Sequence, residues 1–432
     1  MYPSIHARPL CDFIKNAPTP YHAVDAVRRR LLAEGYRLRR EGDPTPHEEG
    51  GRYVVIRSDS SLVAYRYHTS ARGFRISAAH TDTPGFRLKP VAERTAAGSY
   101  TVLEVERYGG MIHHTWLDRP LSVAGRVFVR DTSGVHAQLV NLDRDLALIP
   151  SVAIHMNRTV NEGVKLNPAV DLLPLFSGDK PQGALTALLA EALDVSPLDI
   201  VSHDLFLYNR DEGRILGAEG ELLLCPRLDD LACVYACLEG FLAEGTPDGD
   251  TVPVLALFHN EEVGSSTKQG AASTLLYDTL AAIGASRLCA MLTDTLMVSA
   301  DNAHAKHPNH PELADPDHAP VLGGGVVIKY NAAERYTTDG LSDAIFREIC
   351  RRADLPVQSY CNRADLPGGS TLGSIANTKV SVPTLDIGLG QLAMHAACES
   401  CDVRDVDVLT DAMRAFYTAR FHIDGSSVAF DA

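Results

Sequence analysis

No apolar run in this chain approaches the ~18 residues that cross a bilayer as a helix, and Met1 to Leu10 lacks the long apolar region of a signal peptide. Basic charge is short as well. The formal net charge is −15, so no basic stripe is available to displace the counterions of a nucleic acid. A local basic pocket for an acidic ligand stays open. Nine cysteines cannot all pair within one chain, and Cys398-Glu-Ser-Cys401, spaced like a zinc knuckle or a redox motif, has no second pair to complete a four-ligand site. Repeats and low-complexity segments are absent too. These absences lead us to expect a soluble, cytoplasmic protein with reduced, buried thiols and neither membrane nor nucleic acid as a partner.

What is there is ordinary globular composition, 45% hydrophobic and 22% charged, spread over 432 residues. That length exceeds what one core usually supports, so two domains are expected. Helical spacing runs from Pro9 to Arg39 and is split by Pro18 and Pro20. From Arg52 the pattern alternates with period two, which predicts a hairpin through 52–66. The stretch 91–224 is richer in strand pattern, and strand and helix alternate on both sides of it. We therefore expect an α/β fold with a mixed sheet, formed by 1–90 and 225–432, interrupted by an inserted β-rich domain at 91–224. Strands are predicted at Phe74–His80, Val252–Phe258, Leu288–Leu292, Gly325–Tyr330 and Pro383–Gly388, and helices at Leu228–Leu242, Ala271–Ile283, Leu341–Arg352 and Val406–Tyr417.

Polar residues gather at the breaks between these elements. His80 ends one predicted strand, with Asp82 two residues on; Glu261 and Glu262 follow the Val252–Phe258 strand. Asp229 opens a helix, Asp301 follows the Leu288 region, and His395 follows the Pro383 strand. Each has a plainer reading alone, as a surface histidine, a helix cap or a turn acid. Jointly, at the strand ends of an open sheet, they lie where such sheets bind ligands. Two histidines and three carboxylates can hold two metal ions about 3.5–4 Å apart if one carboxylate bridges. One Glu is then left for a general base, and one Asp to orient an imidazole.

At this point six ordered blocks carry a resemblance. They are Ala79-His80-Thr81-Asp82-Thr83-Pro84, Thr115-Trp116-Leu117-Asp118-Arg119, Arg227-Leu228-Asp229-Asp230, His259-Asn260-Glu261-Glu262-Val263-Gly264-Ser265, Ser299-Ala300-Asp301-Asn302-Ala303-His304-Ala305 with His307-Pro308-Asn309, and Gln391-Leu392-Ala393-Met394-His395. Together they resemble the signature blocks of the aspartyl aminopeptidases, across nearly the whole chain. The resemblance implies a zinc-exopeptidase catalytic domain with an inserted dimerisation domain, and removal of N-terminal Asp or Glu from peptides. It implies two Zn2+ ions per subunit, with Mn2+ or Co2+ as substitutes, and attack by a zinc-bound water. Asp229 would bridge the ions, His80 and Asp301 completing one and Glu262 and His395 the other. Glu261 would be the base and Asp82 the residue that orients His80. Lys329 would hold the acidic side chain, and His304 or His155 would stabilise the oxyanion. A cis bond at Asp229-Asp230 and a tetrahedral dodecamer, with His155 lent to a neighbour, complete the expectation. Asp365-Leu366-Pro367-Gly368-Gly369-Ser370-Thr371 departs from the family loop in its central residues. A dinuclear deacylase or a catalytically silent assembly protein are the competing expectations.

Overall fold

The computed structural model describes residues 4–178, 182–243 and 249–431, which fall into two compact units. One comprises Met1–Asp82, Gly213–Met394 and Glu399–Ala432; the other comprises Thr83–Glu212 and His395–Cys398. The sequence placed the boundaries at 91 and 224. They shift because the Gly85–Ala96 strand pairs with Tyr100–Tyr108, while Arg214–Leu216 pairs with Leu222–Cys225.

The first unit is built on a nine-stranded mixed sheet. Its centre runs Thr251–Phe258, Gly73–His80, Leu296–Ala300, Thr384–Gly388, and these four neighbours are all parallel. Antiparallel partners flank them, Ser61–Arg66 on one side and Val326–Tyr330 on the other. Every residue of Thr251–Phe258 and Gly73–His80 is buried, the polar Arg75, Ser77 and His80 included, as strands covered on both faces require. Side chains alternate between two cores. Leu255 and Leu257 face the layer holding the Leu228–Leu242 and Val403–Thr418 helices, whereas Val254, Ala256 and Phe258 face the one holding Leu275–Gly284. Gly240 brings the first two helices close, since a Cβ there would lie 2.6 Å from that of Met413.

One predicted strand is a helix. Leu288–Leu292 is helical, and the sheet strand is the next apolar run, Leu296–Ala300. A five-residue apolar run does not declare its period. Leu288 and Met291 are buried while Cys289 and Ala290 are exposed, a one-sided pattern with helical spacing; all five residues of the true strand are buried. Cys289 is thus an exposed thiol, contrary to the expectation of burial. The 18-residue stretch Leu275–Leu292, with mean hydropathy 1.3, is also long and apolar enough to cross a membrane, which the sequence reading did not find. It is broken at Ala285, where φ is 46°, and Leu275, Leu280, Ile283, Leu288 and Met291 are buried in the core.

The second unit holds a six-stranded antiparallel sheet, ordered Gly134–Asn141, Leu121–Asp131, Ile200–Asn209, Gly85–Ala96, Tyr100–Tyr108, Leu175–Ser177. Leu103, Leu121, Val123, Val127 and Leu205 are fully buried in its core, which the Ala184–Leu193 helix helps to cover through Leu185 and Leu189.

Candidate metal centre

Parallel register decides what the first unit can do. Phe258 pairs with His80, Ser299 with Ala78, and Ala300 with Ile387, so the carboxyl ends of these strands share one edge of the sheet. His80 is the last residue of its strand. Glu261 and Glu262 lie just beyond theirs, in a 3-10 turn entered through Asn260 at φ 65°, and Asp301 directly follows its own. Asp229 arrives from the opposite direction, at the head of the Leu228–Leu242 helix, where Asp229 and Asp230 have non-helical dihedrals and a cis peptide bond between them.

Converging, these residues form a buried cluster. His80 Nε2 lies 3.4 Å from Asp229 Oδ1, 3.8 Å from Asp301 Oδ1 and 4.0 Å from Asp230 Oδ2. The candidate ligand atoms of those four residues all lie within 4.8 Å of one another, as do those of His80, Glu261 and Glu262. Asp230, to which the sequence pattern assigns no role, accepts the His80 main-chain N–H on its carboxylate at 3.1 Å.

The supporting contacts differ from expectation at Asp82. His80 Nδ1 is 3.0 Å from the main-chain carbonyl oxygen of Asp82 and 3.6 Å from its carboxylate. The carboxylate instead accepts the main-chain N–H groups of Glu261 and Glu262, each at 3.2 Å. Asp82 therefore reaches both the imidazole and the acidic turn. Sequence reasoning also missed Glu399, which lies in the Cys398–Cys401 stretch read only for its thiols. Its buried carboxylate accepts the Asp229 N–H at 3.0 Å and is 3.3 Å from Gln391 Nε2.

Charge in this cluster is unbalanced. Burial pushes the Glu261 carboxyl up to about 8; His80 opposes the rise, and Asp301, Asp82 and Asp229 add to it. Burial and the charge of Asp229 hold Glu262 well above the carboxylate range, and burial raises Asp230 likewise. For His80, burial alone would depress the pKa, but the charge of Asp230 and contacts with Asp229, Asp301 and Asp82 overcome it, so the imidazole is held well above its usual value. Crowded carboxylates of this kind are relieved by a cation.

Lys329, in the Val326–Tyr330 strand, is 2% exposed and its Nζ lies 3.3 Å from Asp301 Oδ2 and 3.2 Å from the Asn302 carbonyl oxygen. Burial would lower its pKa, but the charge of Asp301, joined by Tyr336 and Asp386, outweighs that, so the amine is held above the usual lysine range. His304 is exposed and lines a 320 Å³ cavity with His307, His310 and Tyr360. His155 is exposed in the second unit. His395 also belongs to that unit, where its Nδ1 lies 3.1 Å from the Gly110 carbonyl oxygen.

Residues 13–417 match the family model described as aminopeptidase I zinc metalloprotease (M18). The chain belongs to the M18 family of zinc aminopeptidases. M18 relatives agree over the full length. A probable M18 family aminopeptidase 2 of Clostridium novyi (strain NT) is 41% identical over 426 residues, covering 95% of this chain and 98% of its own. Its namesake in Pseudomonas putida (strain GB-1) is 38% identical over 422 residues, 95% and 97% of the two chains. Among solved M18 structures, Ape4 in its complex with Nbr1 superposes with a TM-score of 0.92 at 33% identity, covering 95% of this chain and 85% of that one. The S. cerevisiae mApe1 dodecamer gives 0.85 at 25% identity, with 96% of each chain covered.

For an M18 metallo-aminopeptidase the donor set is chemically apt. Imidazole nitrogen and carboxylate oxygens are zinc ligands, and the cluster lies where a cation would neutralise several acids at once.

Proposed function

We propose that this M18 aminopeptidase removes N-terminal Asp or Glu from peptides at a centre of two zinc ions. The observation that carries the acidic preference is Lys329, a buried cation 3.3 Å from Asp301 and thus beside the candidate ligands. An acidic side chain of a substrate would bring a second anion to that ammonium, whereas a neutral one would leave it without one.

His80 and Asp301 would hold one ion, Glu262 and His395 the other, with Asp229 shared. Support for His80 and His395 comes from their Nδ1 atoms, each close to a main-chain carbonyl oxygen, an arrangement that sets the tautomer and leaves Nε2 as the ligand atom. Mn2+ or Co2+ would serve as substitutes. Bound zinc would supply Lewis acidity and lower the pKa of a water towards about 7. Glu261, a buried carboxyl whose pKa its surroundings raise and a cation beside it would lower again, takes the proton of the attacking water and returns it to the leaving amine. His304, two residues beyond Asn302, or His155 would donate to the developing oxyanion.

The same reading puts the chain in a homo-oligomer, a tetrahedral dodecamer with dimer contacts through the β-rich unit. Exposed Val152, Ile154 and Met156 around His155 support that contact surface. Light scattering at the mass of a monomer would end that part of the proposal.

A panel of Asp-, Glu-, Leu- and amino-blocked peptides tests the function. Preference for free N-terminal Asp and Glu is expected; hydrolysis of amino-blocked substrates alone would overturn it in favour of a deacylase. Lys329→Ala should raise KM for Asp peptides well beyond its effect on Leu peptides.

A further inference from the structure

Asp386 sits directly across the sheet from Lys329. The two are Cα partners in the antiparallel pairing of Val326–Tyr330 with Thr384–Gly388, so their side chains share a face. Asp386 is fully buried. A buried carboxylate opposite a buried ammonium would ordinarily pair with it. Among the described residues it does not: Lys329 pairs with Asp301.

The reason lies in what satisfies Asp386. Its Oδ2 accepts the main-chain N–H of Thr337 at 2.6 Å and the Thr337 hydroxyl at 2.8 Å, and its Oδ1 accepts the Thr371 hydroxyl. Its own N–H donates to the Thr338 hydroxyl at 2.9 Å. Three neutral donors thus occupy most of the carboxylate's roughly four acceptor sites. These donors come from two separate segments beside Lys329. Thr337 follows Tyr336, whose ring centroid is 5.1 Å from Lys329 Nζ. Thr371 closes the loop 365–371, where the sequence departs from its family pattern, and directly precedes the short Leu372–Asn377 helix, its hydroxyl going to Asp386 and not to the helix end. The fit allows no slack, because a Cβ on Gly373 would lie 2.7 Å from Asp386 Oδ1.

We propose that Asp386 is the positioning residue of the Lys329 pocket: through Thr337 and Thr371 it ties the 336–338 segment and the 365–371 loop to the sheet, and those donors engage its carboxylate so that it faces the ammonium without pairing with it. This rests on the reading of Lys329 as the anchor of an acidic N-terminal side chain. Removing a donor has two consequences under this proposal. The loop loses a tether, and a partly unsatisfied carboxylate turns to Lys329 and competes with the substrate's acid. Both weaken acidic substrates selectively, and neither touches the chemistry of the bond broken.

Steady-state kinetics on an Asp peptide and a Leu peptide test it in the zinc-loaded enzyme. Thr371→Val is expected to raise KM for the Asp peptide about tenfold, the worth of one hydrogen bond to a charged group, while kcat and the Leu-peptide KM stay near wild type. Thr371→Ser, which keeps the hydroxyl, should restore the wild-type ratio. Thr337→Val should act in the same direction, and so should Asp386→Asn if it folds. A wild-type Asp-to-Leu ratio in both valine variants, beside a ratio abolished by Lys329→Ala, would overturn the role of Asp386 and leave the acidic specificity standing. An unchanged ratio in Lys329→Ala would remove the specificity reading and this proposal together.

Discussion

The carboxylate of Asp82 accepts the main-chain N–H of Glu261 at 3.2 Å, across 179 residues of sequence. With its second oxygen on the N–H of Glu262, it fixes the turn that carries both acids. The same residue's carbonyl oxygen lies 3.0 Å from His80 Nδ1. One short loop therefore sets the position of a candidate metal ligand and of the candidate base.

Asp82→Ala should consequently act on the turn more than on the imidazole, since the main-chain carbonyl survives the substitution. We expect a loss of about 10–100-fold in activity, the scale for residues that support metal ligands. Kinetics and zinc content measured on the same sample check this, and wild-type turnover would contradict it.

Glu261→Gln should keep bound zinc and lose roughly 10²-fold or more in kcat, as expected when a general base is removed. Elemental analysis beside turnover separates the outcomes. If zinc is lost along with activity, Glu261 is a ligand and not the base.

The metal-free protein should grow less stable as pH rises. Burial lifts Glu261 to about 8 and Asp405, which accepts the Gly323 and Gly325 N–H groups, to about 7. An acid whose folded pKa is raised binds its proton more tightly folded than unfolded. Its contribution is complete below the unfolded value and is lost as pH climbs through the folded one. Melting temperatures of chelator-treated protein should fall between about pH 5 and pH 8, and zinc should reverse the fall. A rise over that range would refute the assignment.

Gly240→Ala tests the packing of the two central helices. Alanine is better than glycine in a helix by about 1 kcal/mol, but the new methyl would meet Met413 Cβ at 2.6 Å and its carbonyl carbon at 2.7 Å. Overpacking of this kind costs about 1–3 kcal/mol, so a lower denaturant midpoint with an unchanged m-value is expected. A higher midpoint would show that the helices can part.

Much of the fold could be read along the chain because burial on both faces leaves its mark locally. Val252–Phe258 is a continuous apolar run, Gly73–His80 is apolar but for Arg75, Ser77 and His80, and both are central strands. Where a run was short the mark failed: Leu288–Leu292 looks like a strand until its neighbours expose one side of it. The cluster of His80, Asp229 and Asp301 was legible as residue types at element ends. Asp230 and Glu399 were not, because acids beside a named ligand or between two cysteines carry no local signal of burial.

By itself the sequence determined which residues stand where strands stop, and hence the kind of chemistry at one edge of the sheet, because strand and helix periods are written in neighbouring residues. Only the tertiary structure decided who meets whom: that Asp82 grips the Glu261 turn, that Lys329 pairs with Asp301, and that Asp386 accepts from two threonines. Those contacts follow from the order and register of strands brought together from distant parts of the chain, and such pairing leaves no trace in any local stretch of residues.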